Sequence, residues 1–358
     1  MRIAISNTIF FLQKTGGISR YFVNLTDEFD KKEIEYKIIA PISKNIHLKE
    51  KKNNKISFYL SRFPNNTLFT RLNNFLFNKY IKKYDPDILH ETYYSSNVKS
   101  FKKIKVLTVY DTIHENYPEY YSKEQINKKK KILEYIDHFI CISKYTQERF
   151  LELYNVPISK TSVIYLSGDH IKKKLNYNLL EFDKYKLKKN SFFLFVGSRD
   201  KYKNFQLLIS SLNLINKFKN FKIVCFGGGS FTNGELNNLN DNFINIQGGD
   251  GELKYLYANA LALIAPSKEE GFGITILEAM ELGCPVLCSD IKVFREVAGL
   301  APIYFSPSSD EELANKIEKL ILDNNKRDLM IKEGINQCKS YSWRSCADQT
   351  EKIYRSLL

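Results

Sequence analysis

The sequence predicts an α/β protein made of two doubly wound units, each built on a parallel sheet. The chain has 358 residues, and a single domain usually holds about 100–200. Short apolar strands alternate with helix-period segments from end to end, as in parallel α/β sheets. The alternation lapses around Gly168–Asn190. We therefore predict an N-terminal domain over 1–170, a C-terminal domain over 171–340, and a last helix over 341–358 that packs back on the N-terminal domain.

The first domain shows six apolar strand patterns with helix-period segments between them. The predicted strands are 2–6, 36–40, 88–90, 106–110, 139–142 and 162–164. The predicted helices include 19–29, 127–135 and 144–154.

The second domain repeats the alternation. Its predicted strands are 192–196, 222–226, 243–247, 260–265, 285–289 and 302–305. Its predicted helices are 206–217, 252–259, 274–282, 311–323 and 326–337, followed by the amphipathic segment 343–358. Ligands of doubly wound sheets bind at the carboxyl ends of the strands, so we expect two such edges to form a cleft between the domains.

Composition indicates a folded protein with an uneven positive charge. Hydrophobic residues make up 43% of the chain and the net charge is +14. Residues 1–170 hold 28 Lys and Arg against 18 Asp and Glu, so most of the excess lies in the first half. Two interpretations stay open: a solvated surface, or a domain that meets anionic lipid headgroups or a phosphate-bearing acceptor. Nucleic acid is disfavoured because no zinc-finger, basic-zipper or RNA-recognition signature accompanies the charge.

The chain shows no sign of export or of a disulfide scaffold. Its longest apolar stretches have strand length, far below the ~20 residues of a membrane helix. The N-terminal apolar run is broken by Ser6, Asn7 and Thr8, unlike a signal peptide. Of six cysteines, Cys284 and Cys288 form the one close pair, and no second pair or His cluster completes a zinc site. We expect a cytoplasmic protein without a metal ion or other cofactor.

A glycine pair follows the first predicted strand. Gly16 and Gly17 precede a helix, and paired glycines there allow close backbone approach while the helix start offers free N–H groups to an anion. An ordinary tight turn has the same pattern, so donor or phosphate contact is one of two interpretations.

The strongest signal is a loop that joins a strand to a helix in the second domain. It reads Glu270-Gly271-Phe272-Gly273-Ile274, with Glu278 one turn into the helix. The opening N–H groups suit a phosphate or a sugar hydroxyl, whereas the carboxylate of Glu278 suits a vicinal diol such as a ribose. This pairing favours a nucleoside attached to a diphosphate.

Two cations stand beyond the strand 192–196. Arg199 and Lys203 are placed to neutralise a departing diphosphate. The alternative is a pair of solvated charges before a helix.

Histidines and an aspartate close two strands of the first domain. Asp111 and His114 follow strand 106–110, and His90 ends strand 88–90. Both histidines are therefore expected to face the cleft. Two interpretations of His114 stay open: contact with the substrate, or a structural role.

Two further motifs are not assigned to ligands. Asp85-Pro86-Asp87 has the form of a metal-binding Asp-x-Asp motif, but it precedes its strand, so we predict a structural role. The glycines at 227–229 fail the dinucleotide fingerprint because Thr232 takes the place of its third glycine.

At these residues the chain resembles glycosyltransferase family 4, which has the GT-B fold of two Rossmann-like domains. The resemblance covers nearly the whole chain and is most specific from Glu270 to Met280. It also includes Gly16-Gly17, Asp111–Glu115 with Pro118-Glu119, Val196-Gly197 with Lys203-Asn204, Gly283–Val286, Glu296–Gly299 and Ser342-Trp343. Many relatives carry Arg directly after the glycine, where this chain has Ser198 and then Arg199.

The resemblance implies roles for particular residues. Lys203, with Arg199 near it, would hold the donor diphosphate, and Glu278 the ribose. Glu270 and the backbone of 272–274 would hold the transferred sugar, which His114 would contact from the first domain. Transfer in the family retains the anomeric configuration, without a metal or a protein nucleophile.

The resemblance is greatest to bacterial mannosyltransferases of O-antigen or capsule assembly. It implies GDP-mannose as the nucleotide diphosphate sugar donor and a glycan or lipid-linked oligosaccharide as the acceptor. The alternatives are a non-catalytic GT-B subunit of a glycan-assembly complex and another GT-B enzyme, such as a nucleotide-sugar epimerase or a phosphorylase.

Overall fold

The computed structural model describes residues 1–63, 67–118, 123–173, 182, 185–199, 201–215, 221–237 and 239–358. The chain divides into two compact units. Unit 1 contains residues 1–166 and 343–358, and unit 2 contains residues 167–342.

Unit 1 is built on seven parallel strands. They are β1 (Ile3–Ile5), β2 (Tyr36–Ser43), β3 (Lys55–Tyr59), β4 (Ile88–Glu91), β5 (Ile104–Val109), β6 (His138–Cys141) and β7 (Thr161–Val163). Their order in the sheet is β3-β2-β1-β4-β5-β6-β7. The interior strands are short and mostly apolar, as expected for a sheet with helices on both faces.

The helices of unit 1 pack on the two faces of this sheet. They are α1 (Thr8–Leu12), α2 (Gly17–Lys31), α3 (Ile46–Glu50), α4 (Thr67–Tyr84), α5 (Ile113–Asn116), α6 (Lys123–Leu133), α7 (Lys144–Leu153) and the last helix, which is α15 (Trp343–Leu357). Phe77 of α4 packs on Leu89, and Ile132 of α6 lies in a core with Leu107. In the parallel pair β4–β5, Glu91 lies opposite Leu107, and Glu91 is two residues from Leu89. Leu89 and Leu107 therefore point to the same face of the sheet, and α4 and α6 both pack on that face. Phe22 of α2 and Tyr354 of α15 meet His90 on the other face.

Unit 2 is built on six parallel strands. They are β8 (Phe192–Val196), β9 (Lys222–Phe226), β10 (Phe243–Ile246), β11 (Ala262–Ala265), β12 (Val286–Ser289) and β13 (Ile303–Phe305). Their order is β10-β9-β8-β11-β12-β13. The helices are α8 (Phe205–Asn213), α9 (Asn233–Leu236), α10 (Asp250–Asn259), α11 (Ile274–Glu281), α12 (Lys292–Ala298), α13 (Asp310–Leu322) and α14 (Asn324–Cys338).

The strand order of each sheet reverses once. In unit 1 the reversal falls between β1 and β4, and in unit 2 it falls between β8 and β11. Loops diverge at such a point, which leaves a crevice at the carboxyl edge of the sheet. The loops after β8 and β11 are those that carry the predicted cations and glutamates.

The predicted α/β class is confirmed. Eleven of the twelve predicted strands agree with observed ones to within two residues at both ends, and the twelfth, 36–40, is observed as Tyr36–Ser43. The edge strand β3 and the long helix α4 are absent from the prediction. Glu119 and the end of the predicted helix 206–217 lie outside the described residues. Within the part of the chain that the structure describes, no helix has the length and apolar character needed to cross a membrane.

Candidate active site

The carboxyl edge of the unit 2 sheet brings Lys203 and Glu270 together at the reversal of strand order. Lys203 follows β8 and Glu270 follows the neighbouring strand β11. The ammonium nitrogen of Lys203 lies 2.6 Å from Oε1 of Glu270, and the side chains are 18% and 15% exposed. The pair is therefore reachable by a ligand and places one cation and one anion on adjacent loops.

The loop that holds Glu270 is fixed on both sides. The hydroxyl of Ser267 donates to Oε1 of Glu270 at 2.8 Å. Phe272 is buried, and its ring meets Tyr341 edge-on at 6.1 Å. Gly273 has a φ of +92°, and a Cβ there would lie 2.7 Å from the ring of Phe294. Glycine is required at this position, and it caps the first turn of α11 directly ahead of Ile274.

Glu278 lies on the second turn of α11 with both carboxylate oxygens in contact with polar groups. The hydroxyl of Tyr257 donates to Oε2 at 3.1 Å, and Nε2 of His170 lies 3.1 Å from Oε1. Glu278 is 3% exposed. These contacts fix the carboxylate.

His170 and Tyr257 were not predicted as site residues. His170 lies in the short helical turn Asp169–Lys172, within the stretch where the sequence pattern lapses. That turn can reach Glu278 because Gly168 precedes it: a Cβ on Gly168 would lie 2.7 Å from the backbone nitrogen of Glu278. The glycine and the helix were both visible in the sequence, but the contact between them was not.

The contacts of Arg199 do not include Lys203 or Glu270. Its guanidinium donates to Glu235 at 2.5 Å and to the carbonyl oxygens of residues 227–230 at 2.8–3.3 Å. The ring of Phe231 lies 4.9 Å from it. The side chain is 4% exposed. Arg199 therefore holds the glycine loop after β9, because the carbonyl oxygens of this loop accept hydrogen bonds from its guanidinium.

In unit 1, Gly16 and Gly17 stand at the start of the 15-residue helix α2. Gly16 caps the helix, and its carbonyl accepts from the hydroxyl of Ser19 at 3.0 Å and from the backbone nitrogen of Arg20 at 3.1 Å. A Cβ on Gly17 would meet no atom within 4 Å. The structure thus leaves open space at Gly17.

Asp111 lies just before the short helix α5, and His114 lies within that helix. Oδ1 of Asp111 accepts from the backbone nitrogen of Ile113 at 3.1 Å, which fixes the start of the helix. Burial lowers the pKa of His114, and the nearby carboxylates of Asp111 and Glu115 oppose this shift only in part. The imidazole is therefore neutral at pH 7 and suited to hydrogen bonds with hydroxyl groups.

A pocket of about 520 Å³ opens beside His114. Its lining combines aromatic, cationic and apolar side chains: Tyr93, Tyr94, Ser96, Lys99, His114, Ile126, Lys129, Lys131 and Ile132. Lys129 is buried, pairs with Glu115 at 2.9 Å, and lies over the ring of Tyr94 at 4.7 Å. Lys99 and Lys131 are exposed. The pocket has the size and polarity of a small-molecule site.

The prediction that His90 faces a ligand is wrong. The side chain is fully buried, with Nδ1 2.5 Å from the hydroxyl of Tyr354 and Nε2 2.8 Å from that of Thr108. Burial lowers its pKa to about 3, so it is a neutral link between the sheet and α15. A strand-end histidine can point toward a helix that only the full fold brings there.

The aspartates of the Asp-x-Asp sequence serve the sheet, as predicted. Asp87 accepts from the backbone nitrogen of Arg2 at 2.8 Å, and Asp85 pairs with Lys103 at 2.9 Å and with the Arg2 guanidinium at 3.1 Å. They lie at the amino ends of β1 and β4, away from the carboxyl edge.

Two family models match the chain, one in each half. The model described as Glycosyltransferase Family 4 matches residues 15–168, and the model described as Glycosyl transferases group 1 matches residues 179–337. Together they contain the glycine pair, Asp111 and His114 in unit 1, and Lys203, Glu270 and Glu278 in unit 2.

Several relatives of known name are also glycosyltransferases. The O-antigen chain mannosyltransferase B of Escherichia coli is 28% identical over 267 residues, which are 70% of each chain. The O-antigen chain mannosyltransferase RfbU of Salmonella typhimurium is 30% identical over 228 residues, which are 58% of this chain and 60% of the relative. The structure of HepE from Anabaena in complex with UDP-glucose has a TM-score of 0.79 at 17% identity, with 99% of this chain and 100% of that chain covered.

The two parallel sheets and these likenesses define a glycosyltransferase with the GT-B fold. The chain belongs to glycosyltransferase family 4.

Proposed function

We propose that this protein transfers mannose from GDP-mannose to a glycan or lipid-linked oligosaccharide, with retention of configuration, in bacterial surface polysaccharide synthesis. The observation that carries the proposal is the Lys203–Glu270 pair at the reversal of strand order. The names of the two O-antigen mannosyltransferase relatives support mannose and the glycan acceptor. The UDP-glucose held by HepE supports a nucleotide sugar as the class of donor.

The donor diphosphate is proposed to bind between Lys203 and the start of α11. The ammonium of Lys203 is already at the site, and the first N–H groups of α11 add the positive end of a helix dipole. Both interactions strengthen as negative charge develops on the leaving diphosphate, and this lowers the barrier. Because these cationic groups neutralise the leaving group, the proposal requires no metal ion.

Glu278 is proposed to hold the ribose of the donor. Its carboxylate is fixed by Tyr257 and His170, so it loses little freedom when it accepts hydrogen bonds from the two ribose hydroxyls. Arg199 is proposed to act on the donor indirectly, because its guanidinium shapes the glycine loop beside the site. Glu270 is proposed to accept hydrogen bonds from hydroxyls of the transferred sugar.

The chemical step is proposed to proceed on one face of the sugar. The bond between C1 of mannose and the phosphate oxygen breaks, and a bond between C1 and the acceptor oxygen forms. The departing phosphate takes the acceptor proton, so no side chain acts as a nucleophile. The neutral imidazole of His114 is proposed to contact the transferred sugar, and the pocket beside it to receive the acceptor.

Binding of nucleoside diphosphates tests the donor site directly. Thermal unfolding is measured with GDP, UDP, ADP and dTDP, each in EDTA and in Mg²⁺. We expect GDP to raise the melting temperature in EDTA, since a ligand at 100 times its Kd adds about 2.7 kcal/mol of stability. Stabilisation by UDP alone would replace GDP in the proposal, and the absence of any shift would overturn the donor site.

Two lysine variants then separate the site from general effects of charge. Lys203→Met removes the cation at the site, whereas Lys319→Met removes an exposed cation of α13. We expect Lys203→Met to abolish the GDP shift and to reduce mannose transfer at least 100-fold, and Lys319→Met to change neither. Equal transfer by both variants would overturn the proposed role of Lys203. Product analysis with and without acceptor distinguishes transfer from epimerisation.

A further inference from the structure

Helix α4 carries large apolar side chains on the face turned away from the core. Its inner face buries Phe77 and Ile81 against the sheet of unit 1. On the outer face, Leu68 is 71%, Leu72 is 45% and Phe75 is 65% exposed. The spacing of these three residues is i, i+4 and i+7, so they form one strip along the helix.

The same outer face is strongly cationic. Arg71, Lys79, Lys82 and Lys83 are all exposed and lie on the side of α4 that carries the apolar strip. Helix α4 has no acidic residue. Between Glu50 and Asp85 the sequence contains eight basic residues and no acidic one. Apolar strip and cations therefore form one acid-free surface.

The segment before α4 extends this surface toward the edge of the sheet. Phe58 on the edge strand β3 is 64% exposed, and Leu60 directly after the strand is 43% exposed. Phe63 then stacks on Phe69 of α4, with ring centroids 5.8 Å apart. The chain thus presents exposed apolar side chains from β3 into the first half of α4.

The composition of the surface selects its partner. Interfaces between proteins are depleted in lysine, and a second copy of this chain would set one acid-free cationic surface against another. Helices that lie in a bilayer interface combine Leu and Phe on one side with Lys and Arg beside them. We propose that the outer face of α4 docks on an anionic lipid bilayer, with Leu68, Leu72 and Phe75 at the headgroup–acyl boundary and the cations on lipid phosphates.

The proposal goes beyond the transferase function and does not rest on it. It uses side chains that no step of the transfer requires, so a variant of this face keeps the donor site intact. Failure of membrane docking therefore leaves the GDP shift untouched, and failure of the donor site leaves docking untouched.

Co-sedimentation with vesicles tests the docking surface. The full chain is mixed with phosphatidylcholine vesicles that contain 0% or 30% phosphatidylglycerol, at 50 mM and at 500 mM NaCl. We expect binding to the anionic vesicles at low salt and weaker binding at high salt, because the lipid charge is screened. No binding to anionic vesicles at low salt would overturn the proposal.

Matched variants identify the surface. Leu68→Ser with Phe75→Ser is expected to weaken vesicle binding at least tenfold and to keep the GDP shift and melting temperature. The control, Leu322→Ser with Leu329→Ser, changes two leucines of unit 2 that are 74% and 46% exposed, and is expected to bind like wild type. Equal binding by both double variants would overturn the assignment to α4. A second outcome would also overturn it: the wild type is a dimer that does not bind vesicles, and Leu68→Ser with Phe75→Ser makes it a monomer.

Discussion

Glu91 is a buried carboxyl group at the end of β4 that no step of the proposed transfer uses. Its side chain is fully buried, and burial raises its pKa from 4.5 to about 8. Between these values the folded state keeps a proton that the unfolded state has released. The contribution of Glu91 to the free energy of unfolding is fully present below pH 4.5. It falls by a few kcal/mol as the pH rises through 8.

The variant Glu91→Gln places an amide where the neutral acid stands. We expect its free energy of unfolding to change less between pH 5.5 and 8.5 than that of wild type, and the variant to be the more stable protein at pH 8.5. Urea unfolding at three pH values measures this. The exposed Glu134→Gln serves as control. Parallel pH profiles for wild type and Glu91→Gln would contradict the prediction.

Residue chemistry explains which site residues the sequence could predict. Lys203 and Glu270 follow neighbouring strands, and parallel strands bring their carboxyl ends to one edge, so their meeting could be inferred. His170 meets Glu278 through a turn with no periodic pattern, and it was missed. Arg199 has the right strand end for a phosphate ligand, yet its charge goes to Glu235 and to loop carbonyls, contacts that sequence spacing does not encode.

At the scale of elements, the close approach of the Asp169–Lys172 turn to α11 depends on Gly168. The backbone of Gly168 has an ordinary φ of −91°, so alanine would be sterically hindered, not conformationally strained. Its Cβ would lie 2.7 Å from backbone atoms of Leu277 and Glu278. We expect Gly168→Ala to cost about 1–3 kcal/mol and to weaken GDP binding, because the turn that carries His170 must move.

The control for this prediction is Gly234→Ala in α9. A Cβ there would meet no atom within 4 Å, and alanine favours a helix over glycine. We expect this variant to be as stable as wild type or slightly more stable, by urea unfolding, with unchanged GDP affinity by calorimetry. Equal losses in both variants would show that the approach of Gly168 to α11 does not matter.

Elements were predictable where burial was complete. The strands β8 and β9 were predicted at their observed bounds because β8 is an unbroken apolar run and β9 is apolar after Lys222. Helix α4 was missed because Leu68, Leu72 and Phe75 put apolar residues on its outer face as well. A difference in polarity between two faces is the sequence signal of a surface helix. The apolar residues on the outer face of α4 remove that difference.

At the scale of the whole molecule, the chain returns to unit 1 after completing unit 2. Helix α15 is tied to α2: Trp343 lies 5.9 Å from Tyr21 between ring centroids, and Lys32 pairs with Asp348 at 2.8 Å. Its Tyr354 is fully buried and contacts His90. The α/β class could be predicted from the alternation of strands and helices, but the partners of α15 are more than 250 residues away in the chain.

Removal of residues 343–358 is expected to weaken unit 1 selectively. The loss uncovers the faces of Tyr21 and Phe29 that α15 buries, and leaves the contacts of unit 2 in place. Hydrogen exchange followed by mass spectrometry should show faster exchange in α2, β4 and β5, and unchanged exchange in β8, β9 and β11. Uniformly faster exchange in both units would contradict this expectation.

The position of α15 in the chain also sets an order of events during translation. All of unit 2 is contiguous, so residues 167–342 can fold without any later segment of the chain. Unit 1 must wait with Tyr21, Phe29 and His90 uncovered until the last helix emerges. The nascent chain therefore exposes an aromatic surface on its older half throughout synthesis, and this surface is where a chaperone would bind.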